Sequence, residues 1–208
     1  MTGGRGVANR CRDLLSSIFS YAVRTGRRGA NPVFGVKKFP STPMERFLSE
    51  AEFAALGSAL VDAEARGENA FAIAAIRLLA LTGCRKSEIL SLQWTFVDWD
   101  RGLLRLPDSK TGAKVVVLSE DALGVLRATP RTASSRYVFP ASSGNGHLVG
   151  LQKIWAKVRS DAGLGEVRLH DLRHSFASLG VAQGESLYVV GQILGHSRST
   201  STARYAHL

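Results

Sequence analysis

Apolar residues recur every three or four positions over much of this chain, which is the spacing of one face of an α-helix. Ser49 and Glu52 have the spacing of a capping box, which marks the start of one helix. Residues 70–81 form a nearly uninterrupted apolar run, so we expect this helix to lie in the middle of the core. The pattern predicts helices over residues 9–25, 49–65, 70–81, 85–92, 119–128, 149–162, 169–183 and 187–194.

Between residues 94 and 118 the spacing of apolar residues changes to that of β-strands. Three short runs, 94–99, 103–106 and 115–118, are rich in β-branched and aromatic residues and are separated by turn-forming residues. They predict a small three-stranded antiparallel sheet. Residues 137–139 could add a short strand, and residues 199–205 could form a helix or a turn. The predicted fold class is therefore mainly α with a small antiparallel β-sheet (α+β).

Glycine and proline between residues 26 and 43 indicate a boundary in the chain. Ahead of it lies one amphipathic helix, which cannot bury its own apolar face and must dock on the body, on a partner or on another domain. We expect residues 1–40 to form a basic helix and linker, and residues 41–208 to form the main domain.

The composition excludes several classes of protein. The chain has 208 residues, 45% of them hydrophobic, and its longest apolar stretch is too short to cross a bilayer. The amino-terminal residues do not have the pattern of a signal peptide. Two cysteines do not make a disulfide framework, so we expect a reducing, cytoplasmic setting.

The charge is strongly positive and unevenly distributed. The formal net charge is +10, and residues 1–40 hold eight Lys or Arg against one acid. Such a basic arm favours contact with nucleic acid phosphates, although membrane surfaces and acidic proteins attract the same arm, and basic residues also aid solubility. The candidate DNA-binding residues are Arg10, Arg12, Arg27, Arg28, Lys37 and Lys38.

Two cations in the first half of the main domain are candidates for binding an anion. Arg85 falls at the predicted start of a helix, and its guanidinium could grip two phosphate oxygens. Glu88 lies on the same helix face and could orient Arg85. Lys110 lies at the tip of the predicted hairpin, where its ammonium could protonate a leaving oxygen. Taken singly, a surface ion pair and a solvated turn lysine explain these residues better.

The second half adds two histidines, an arginine and a tyrosine. His170 and Arg173 are three residues apart, which places them side by side on one helix face and suits them to bind a phosphate and accept a proton. His174 is better explained as a supporting residue. His196 follows a glycine at a helix end, where histidines often cap the helix, and Tyr205 in isolation reads as a packed aromatic.

The order of these residues changes the interpretation. The phrases Leu81-Thr82-Gly83-Cys84-Arg85-Lys86-Ser87-Glu88-Ile89 and His170-Asp171-Leu172-Arg173-His174-Ser175, followed by Leu194-Gly195-His196 and Tyr205, resemble those of the tyrosine recombinases, or phage integrases. The resemblance covers residues 41–208 and fills every position of the family's catalytic set. Several motifs in the right order are far more specific than any one of them.

The resemblance implies a role for each matched residue. Tyr205 would attack a DNA phosphate and form a 3′-phosphotyrosine, with His170 as its base. Arg85, Arg173 and His196 would bind the non-bridging oxygens, and Lys110 would protonate the leaving oxygen. Glu88 would hold Arg85 in place. The resemblance implies no cofactor and no metal, because side chains supply the cations.

Relatives carry a further helical domain ahead of the catalytic one, and many continue past the tyrosine. We therefore expect residues 1–40 to be the last part of an amino-terminal core-binding domain. The partners implied are double-stranded DNA and further copies of the chain, four on two duplexes. Two alternatives stay open at this point: relaxation of DNA in the manner of a type IB topoisomerase, and a non-catalytic DNA-binding remnant of an integrase.

Overall fold

A computed structural model describes residues 3–40, 46–107 and 112–195 of the chain. The chain divides into two compact units, Met1–Met44 and Glu45–Leu208.

The first unit is built on one long helix, α1 (Gly3–Arg24), which starts six residues earlier than the apolar pattern predicts. Residues 31–40 return along α1 and hydrogen-bond to it. The amide groups of Asn9 and Phe39 exchange two hydrogen bonds of 2.9 Å. Arg12 Nε donates to the carbonyl oxygen of Val36 at 3.1 Å. The side chains and backbone of this segment are therefore tied to the helix.

The second unit is mostly helical, as predicted. Its helices are α2 (Glu50–Ala65), α3 (Ala70–Thr82), α4 (Lys86–Leu90), α5 (Glu120–Ala128), α6 (Leu151–Asp161), α7 (Leu169–Ala182) and α8 (Leu187–Leu194). The predicted capping box is present: Glu52 N donates to Ser49 Oγ, and Ser49 N donates to Glu52 Oε2 at 2.8 Å. Helix α3 lies at the centre, where it packs against α2, α4, α5, α6 and α7. Its apolar run is buried, which confirms the prediction that it lies in the core.

The sheet is small and antiparallel, with strands β1 (Val97–Asp98), β2 (Leu103–Leu106) and β3 (Lys114–Val117) in that order. Leu106 pairs with Lys114, and Val97 pairs with Leu104. The predicted first strand is wrong over Trp94–Phe96, which is a 3-10 turn. The chain turns there because the amides of Phe96 and Val97 donate to the nearby carbonyls of Gln93 and Trp94. The possible strand at residues 137–139 is reduced to one isolated bridge between Tyr137 and Gln93.

The core continues from α3 into α6 and α7, and it includes the fully buried Trp155, Phe139 and Leu172. A smaller cluster of Ala177, Val190 and Leu194 joins α7 to α8. Strand β3 also contacts α8. The end of α3, the start of β3, the first turns of α7 and the end of α8 therefore meet in one region. None of the helices within the described ranges is long and apolar enough to cross a membrane.

Candidate active site

Arg85 lies directly before α4 and is fixed by Glu88. Its backbone amide donates to Glu88 Oε2 at 2.9 Å, and its Nη1 donates to Glu88 Oε1 at 2.7 Å. The Arg85 side chain is 18% exposed, whereas that of Glu88 is 3% exposed. The carboxylate is thus buried beneath a guanidinium that still reaches the surface, which is the arrangement expected of a supporting acid.

Arg173 is buried on α7 and bridges two other elements. Its Nη1 donates to the carbonyl oxygen of Gly83 at 2.7 Å, and its Nη2 donates to that of Leu194 at 2.7 Å. Gly83 ends α3 in the left-handed conformation, with φ of 60°. The two carbonyls thus fix the orientation of the guanidinium. Arg173 as a whole residue is 4% exposed.

Arg85 and Arg173 converge on the end of α8. Arg85 Nη2 donates to the carbonyl oxygen of Gly195 at 3.4 Å, and Arg173 donates to the preceding carbonyl, that of Leu194. The carboxyl end of a helix carries partial negative charge, which stabilises two neighbouring cations. Residues far apart in sequence are brought together in this way.

Lys114 belongs to this cluster and was missed by the sequence reasoning. It lies at the start of β3, its side chain is 4% exposed, and its Nζ lies 3.3 Å from Glu88 Oε2. The alternation of β3 could have indicated this, because Lys114 and Val116 are buried while Val115 and Val117 are exposed. The predicted strand began one residue later and left Lys114 outside it.

The surroundings of Glu88 keep it ionised. Burial alone would raise the pKa of Glu88, but the backbone amide of Arg85, the charge of Lys114 and the Arg85 guanidinium outweigh it, and the pKa is lowered. Cys84 lies beside the same ammonium, with its Sγ 3.9 Å from Lys114 Nζ. Burial raises the pKa of the Cys84 thiol, so the thiol stays neutral and Glu88 is the anion that Lys114 faces.

His170 and His174 occupy the first turns of α7. Their rings meet edge to face with centroids 4.8 Å apart. His170 is exposed and His174 is buried. The exposed histidine can therefore reach a ligand, while the buried one supports it. Lys110, His196 and Tyr205 lie outside the described residues.

The candidate DNA-binding residues of the first unit differ in their surroundings. Arg12 Nη1 and Lys38 Nζ both contact the Asp13 carboxylate, at 3.1 and 2.7 Å. Arg28 lies over the ring of Phe19. The side chains of Arg10, Arg27 and Lys37 are exposed. Part of the positive charge of this unit is therefore neutralised locally by Asp13.

The described part of the cluster around α4 carries an excess of positive charge. The guanidinium of Arg85 and the ammonium of Lys114 both contact the carboxylate of Glu88, while the second guanidinium, that of Arg173, is held by backbone carbonyls. Such a site suits an anion that binds through bidentate, charge-assisted hydrogen bonds, as phosphate does. Across residues 3–40, 46–107 and 112–195, no group of three or more His, Cys, Asp or Glu is placed to hold a metal ion.

Comparison with known proteins identifies the family of the chain. A sequence profile described as the Phage integrase family matches residues 46–208. The chain belongs to this family. The fold is that of tyrosine recombinase catalytic domains: the XerH site-specific recombinase, solved as a pre-cleavage complex with its difH substrate, superposes with a TM-score of 0.74 at 20% identity over 99% of this chain and 63% of that one.

Two curated relatives are similar to this chain in sequence. The chain is 30% identical to the prophage integrase IntF of Escherichia coli K12 over 142 residues, which cover 66% of this chain and 30% of that protein. It is 26% identical to a XerC-like tyrosine recombinase of Caldanaerobacter subterraneus over 240 aligned positions, which cover 94% of this chain and 61% of that protein. The chain thus spans less than two thirds of the length of these relatives.

Proposed function

We propose that this chain is the DNA-cleaving and DNA-rejoining part of a site-specific tyrosine recombinase of the integrase kind. One observation carries the proposal. Arg85 and Arg173, which the family motifs single out, converge on the consecutive carbonyls of Leu194 and Gly195. The next residue along the chain is His196. This convergence supports a phosphate site formed by Arg85, Arg173 and His196.

The proposed reaction starts at Tyr205. Its phenolic oxygen attacks the phosphorus of a DNA phosphodiester, the bond to the 5′ oxygen breaks, and a 3′-phosphotyrosine forms. A tyrosine has an ordinary pKa of about 10, so its proton needs an acceptor, and His170 is the proposed base. Lys110 donates a proton to the 5′ oxygen as it leaves. The reverse reaction with the 5′-hydroxyl of another strand rejoins the DNA.

The arginines act on the charge that develops at the non-bridging oxygens. Each guanidinium is already oriented, Arg85 by Glu88 and Arg173 by the carbonyls of Gly83 and Leu194. Preoriented donors need no rearrangement during the reaction, and removing one donor of this kind typically costs about 10² to 10³ in rate. Because side chains provide the positive charge, the proposed mechanism calls for neither cofactor nor metal.

The proposed partner is double-stranded DNA, and the similar XerH recombinase was itself solved bound to its difH substrate. Exchange of strands between two duplexes needs four cuts, so we propose four copies of the chain in the active assembly. Residues 41–208 would form the catalytic domain, and residues 1–40 the end of a core-binding domain whose basic residues contact phosphates. The proposed reaction takes place in the cytoplasm.

The two alternatives predict different products. A type IB topoisomerase would relax a supercoiled plasmid that contains no specific site. A non-catalytic remnant would bind DNA without any covalent product. The match to recombinases along residues 46–208 favours the recombinase over both.

A covalent trap tests the proposed function. The full chain is incubated with duplexes of randomised sequence that carry a nick close to each potential cleavage position, so that the short cleaved piece diffuses away. We expect an adduct that survives detergent and is enriched for one sequence, and no adduct from Tyr205→Phe, which still binds DNA. Absence of any adduct from the unaltered chain would overturn the proposal.

A further inference from the structure

Lys114 occupies a place where a charged side chain is costly. Its side chain lies on the same buried face of β3 as that of Val116 and is only 4% exposed. Lysine is almost never buried unless it is paired, because a charge loses its hydration in the interior. An apolar residue would satisfy the strand pattern without this cost. The burial of Lys114 therefore calls for an explanation beyond packing.

The ammonium of Lys114 completes the surroundings of Glu88. Arg85 Nη1 contacts Oε1 of this carboxylate, while the Arg85 amide and Lys114 Nζ contact Oε2. Glu88 is thus held from both sides. Without the ammonium, the full attraction of a buried carboxylate would fall on Arg85, and the guanidinium would be drawn away from any second anion.

The aliphatic stem of Lys114 supports the same site from another direction. A Cβ added to Gly195 would lie 3.1 Å from Lys114 Cδ, so the stem packs closely on this turn. Gly195 has φ of 67°, and its carbonyl oxygen accepts the 3.4 Å hydrogen bond from Arg85. One lysine therefore touches both groups that hold Arg85, the carboxylate of Glu88 and the turn at Gly195.

We propose that Lys114 is a positioning residue for phosphoryl transfer, which sets the orientation and the anion affinity of Arg85 through Glu88 and through Gly195. It does not donate the proton to the leaving oxygen. This inference rests on the proposed function. It assigns Lys114 a role distinct from that of Lys110, the other lysine of the hairpin.

The test compares Lys114→Met with the unaltered chain in the rate of covalent adduct formation. Methionine keeps most of the stem and removes the charge. Misplacement of a catalytic group by about 1 Å can cost about 10² in rate, and we expect a loss of that size on ordinary DNA. Lys114→Arg should recover part of the rate. Lys157→Met is the matched control, because Lys157 forms an exposed ion pair with Glu68, and its rate should not change.

Two altered duplexes show through which step Lys114 acts. A sulfur in place of the 5′ bridging oxygen is a good leaving group and needs no proton donor. On this duplex the adduct rate of a Lys110 variant should be restored, whereas the adduct rate of Lys114→Met should stay as far below that of the unaltered chain as on ordinary DNA. A methylphosphonate carries no charge on the non-bridging position, so its cleavage depends less on the arginines. On this duplex the gap in adduct rate between Lys114→Met and the unaltered chain should shrink at least tenfold. A merely structural defect would slow all three duplexes equally.

A double-mutant cycle completes the test. If Lys114 acts through Arg85, the adduct rate of Arg85→Ala combined with Lys114→Met should equal that of Arg85→Ala alone. Thermal unfolding of each variant establishes that it is folded at the assay temperature. If Lys114→Met is poorly folded, Lys114→Gln takes its place, together with Glu88→Gln, which removes the charge of the other partner in the ion pair.

Four results would overturn the inference: an unchanged rate for the charge-removing variants, an equal deficit on all three duplexes, restoration by the sulfur-containing duplex, or additive losses in the cycle. Failure of the proposed function looks different, because then the unaltered chain forms no adduct on any of the duplexes.

Discussion

The guanidinium of Arg173 donates a 2.7 Å hydrogen bond to the carbonyl oxygen of Gly83, the glycine at which α3 ends. A second bond of the same length reaches Leu194, so α3, α7 and α8 are joined through one side chain. The residue proposed to bind phosphate is therefore also a structural bridge. Substitutions around it should affect stability and catalysis together.

Arg173→Lys should leave DNA binding largely intact and slow adduct formation by about 10² to 10³. An ammonium lacks the planar fork that reaches two carbonyls and a bidentate anion at once. The measurement is the single-turnover adduct rate beside the dissociation constant for the same duplex. A rate within a factor of three of the unaltered chain would show that the fork geometry is not used.

Gly83→Ala should destabilise the protein by more than about 2 kcal/mol. The left-handed conformation costs a non-glycine residue about 1 to 2 kcal/mol, and the new Cβ would lie 2.5 Å from Cδ1 of Phe176. Gly67→Ala is the control, since Gly67 also has positive φ but has open space around it. Denaturant unfolding should show the larger loss for Gly83, and equal losses would contradict the close packing on Phe176.

Ser175→Ala should cost about 1 to 3 kcal/mol. The buried Ser175 hydroxyl accepts a hydrogen bond from the amide of Leu48 at 2.8 Å and donates one to the carbonyl of Asp171. Alanine leaves the buried amide without its acceptor. Ser91→Ala, at an exposed hydroxyl that only donates to Ser87 O, should cost less than about 0.5 kcal/mol. Similar losses at the two serines would contradict this anchoring of Leu48 to α7.

The lowered pKa of Glu88 predicts how stability depends on pH. A carboxyl whose pKa is lower in the folded state stabilises that state above the unfolded pKa of about 4.3, and this contribution is lost as pH falls through the folded value. The free energy of unfolding should therefore decline below about pH 4.3, and Glu88→Gln should remove part of that decline. Urea titrations at several pH values measure it. An identical pH profile for the variant would contradict a paired, ionised Glu88.

The basic residues of the first unit should contribute to the salt dependence of DNA binding. Each phosphate contact adds roughly 0.9 to the slope of log affinity against log salt. Replacing Arg10, Arg27, Arg28 and Lys37 together by alanine should lower the slope and weaken binding on all sequences alike. Arg12→Ala and Lys38→Ala should have smaller effects, because Asp13 already engages both side chains. An unchanged slope for the fourfold variant would show that these residues do not contact phosphates.

Sequence reasoning succeeded where the signal was local or where several motifs had a fixed order. The capping box of Ser49 and Glu52 follows from a spacing of three, and the apolar run of α3 could only be a buried helix. Arg85, Glu88 and Arg173 were predicted as site residues because they lie in family phrases, and this assignment stays a prediction. Their contacts to Gly83, Leu194 and Gly195 were not foreseen, since these depend on how α3, α7 and α8 pack.

The features that the sequence did not reveal depend mostly on contacts between residues distant in sequence. Residues 31–40 are held on α1 by hydrogen bonds such as that of Asn9 with Phe39 and that of Arg12 with Val36. Trp94 has high strand propensity, but its carbonyl accepts the amide of Val97 in a 3-10 turn, while its own amide donates to the carbonyl of the distant Arg136. Lys114 was missed because its burial depends on the register of β3 and on the packing of its stem against Gly195.

The most direct measurement is to find which residue carries the DNA. The adduct from the nicked-duplex trap is digested with nuclease and with a protease that cuts after Glu185, and the fragment spanning residues 186–208 is analysed by mass spectrometry. The account predicts a 3′-phosphate linkage on Tyr205, lost in Tyr205→Phe. An adduct on another residue, or a linkage through a 5′-phosphate, would contradict it.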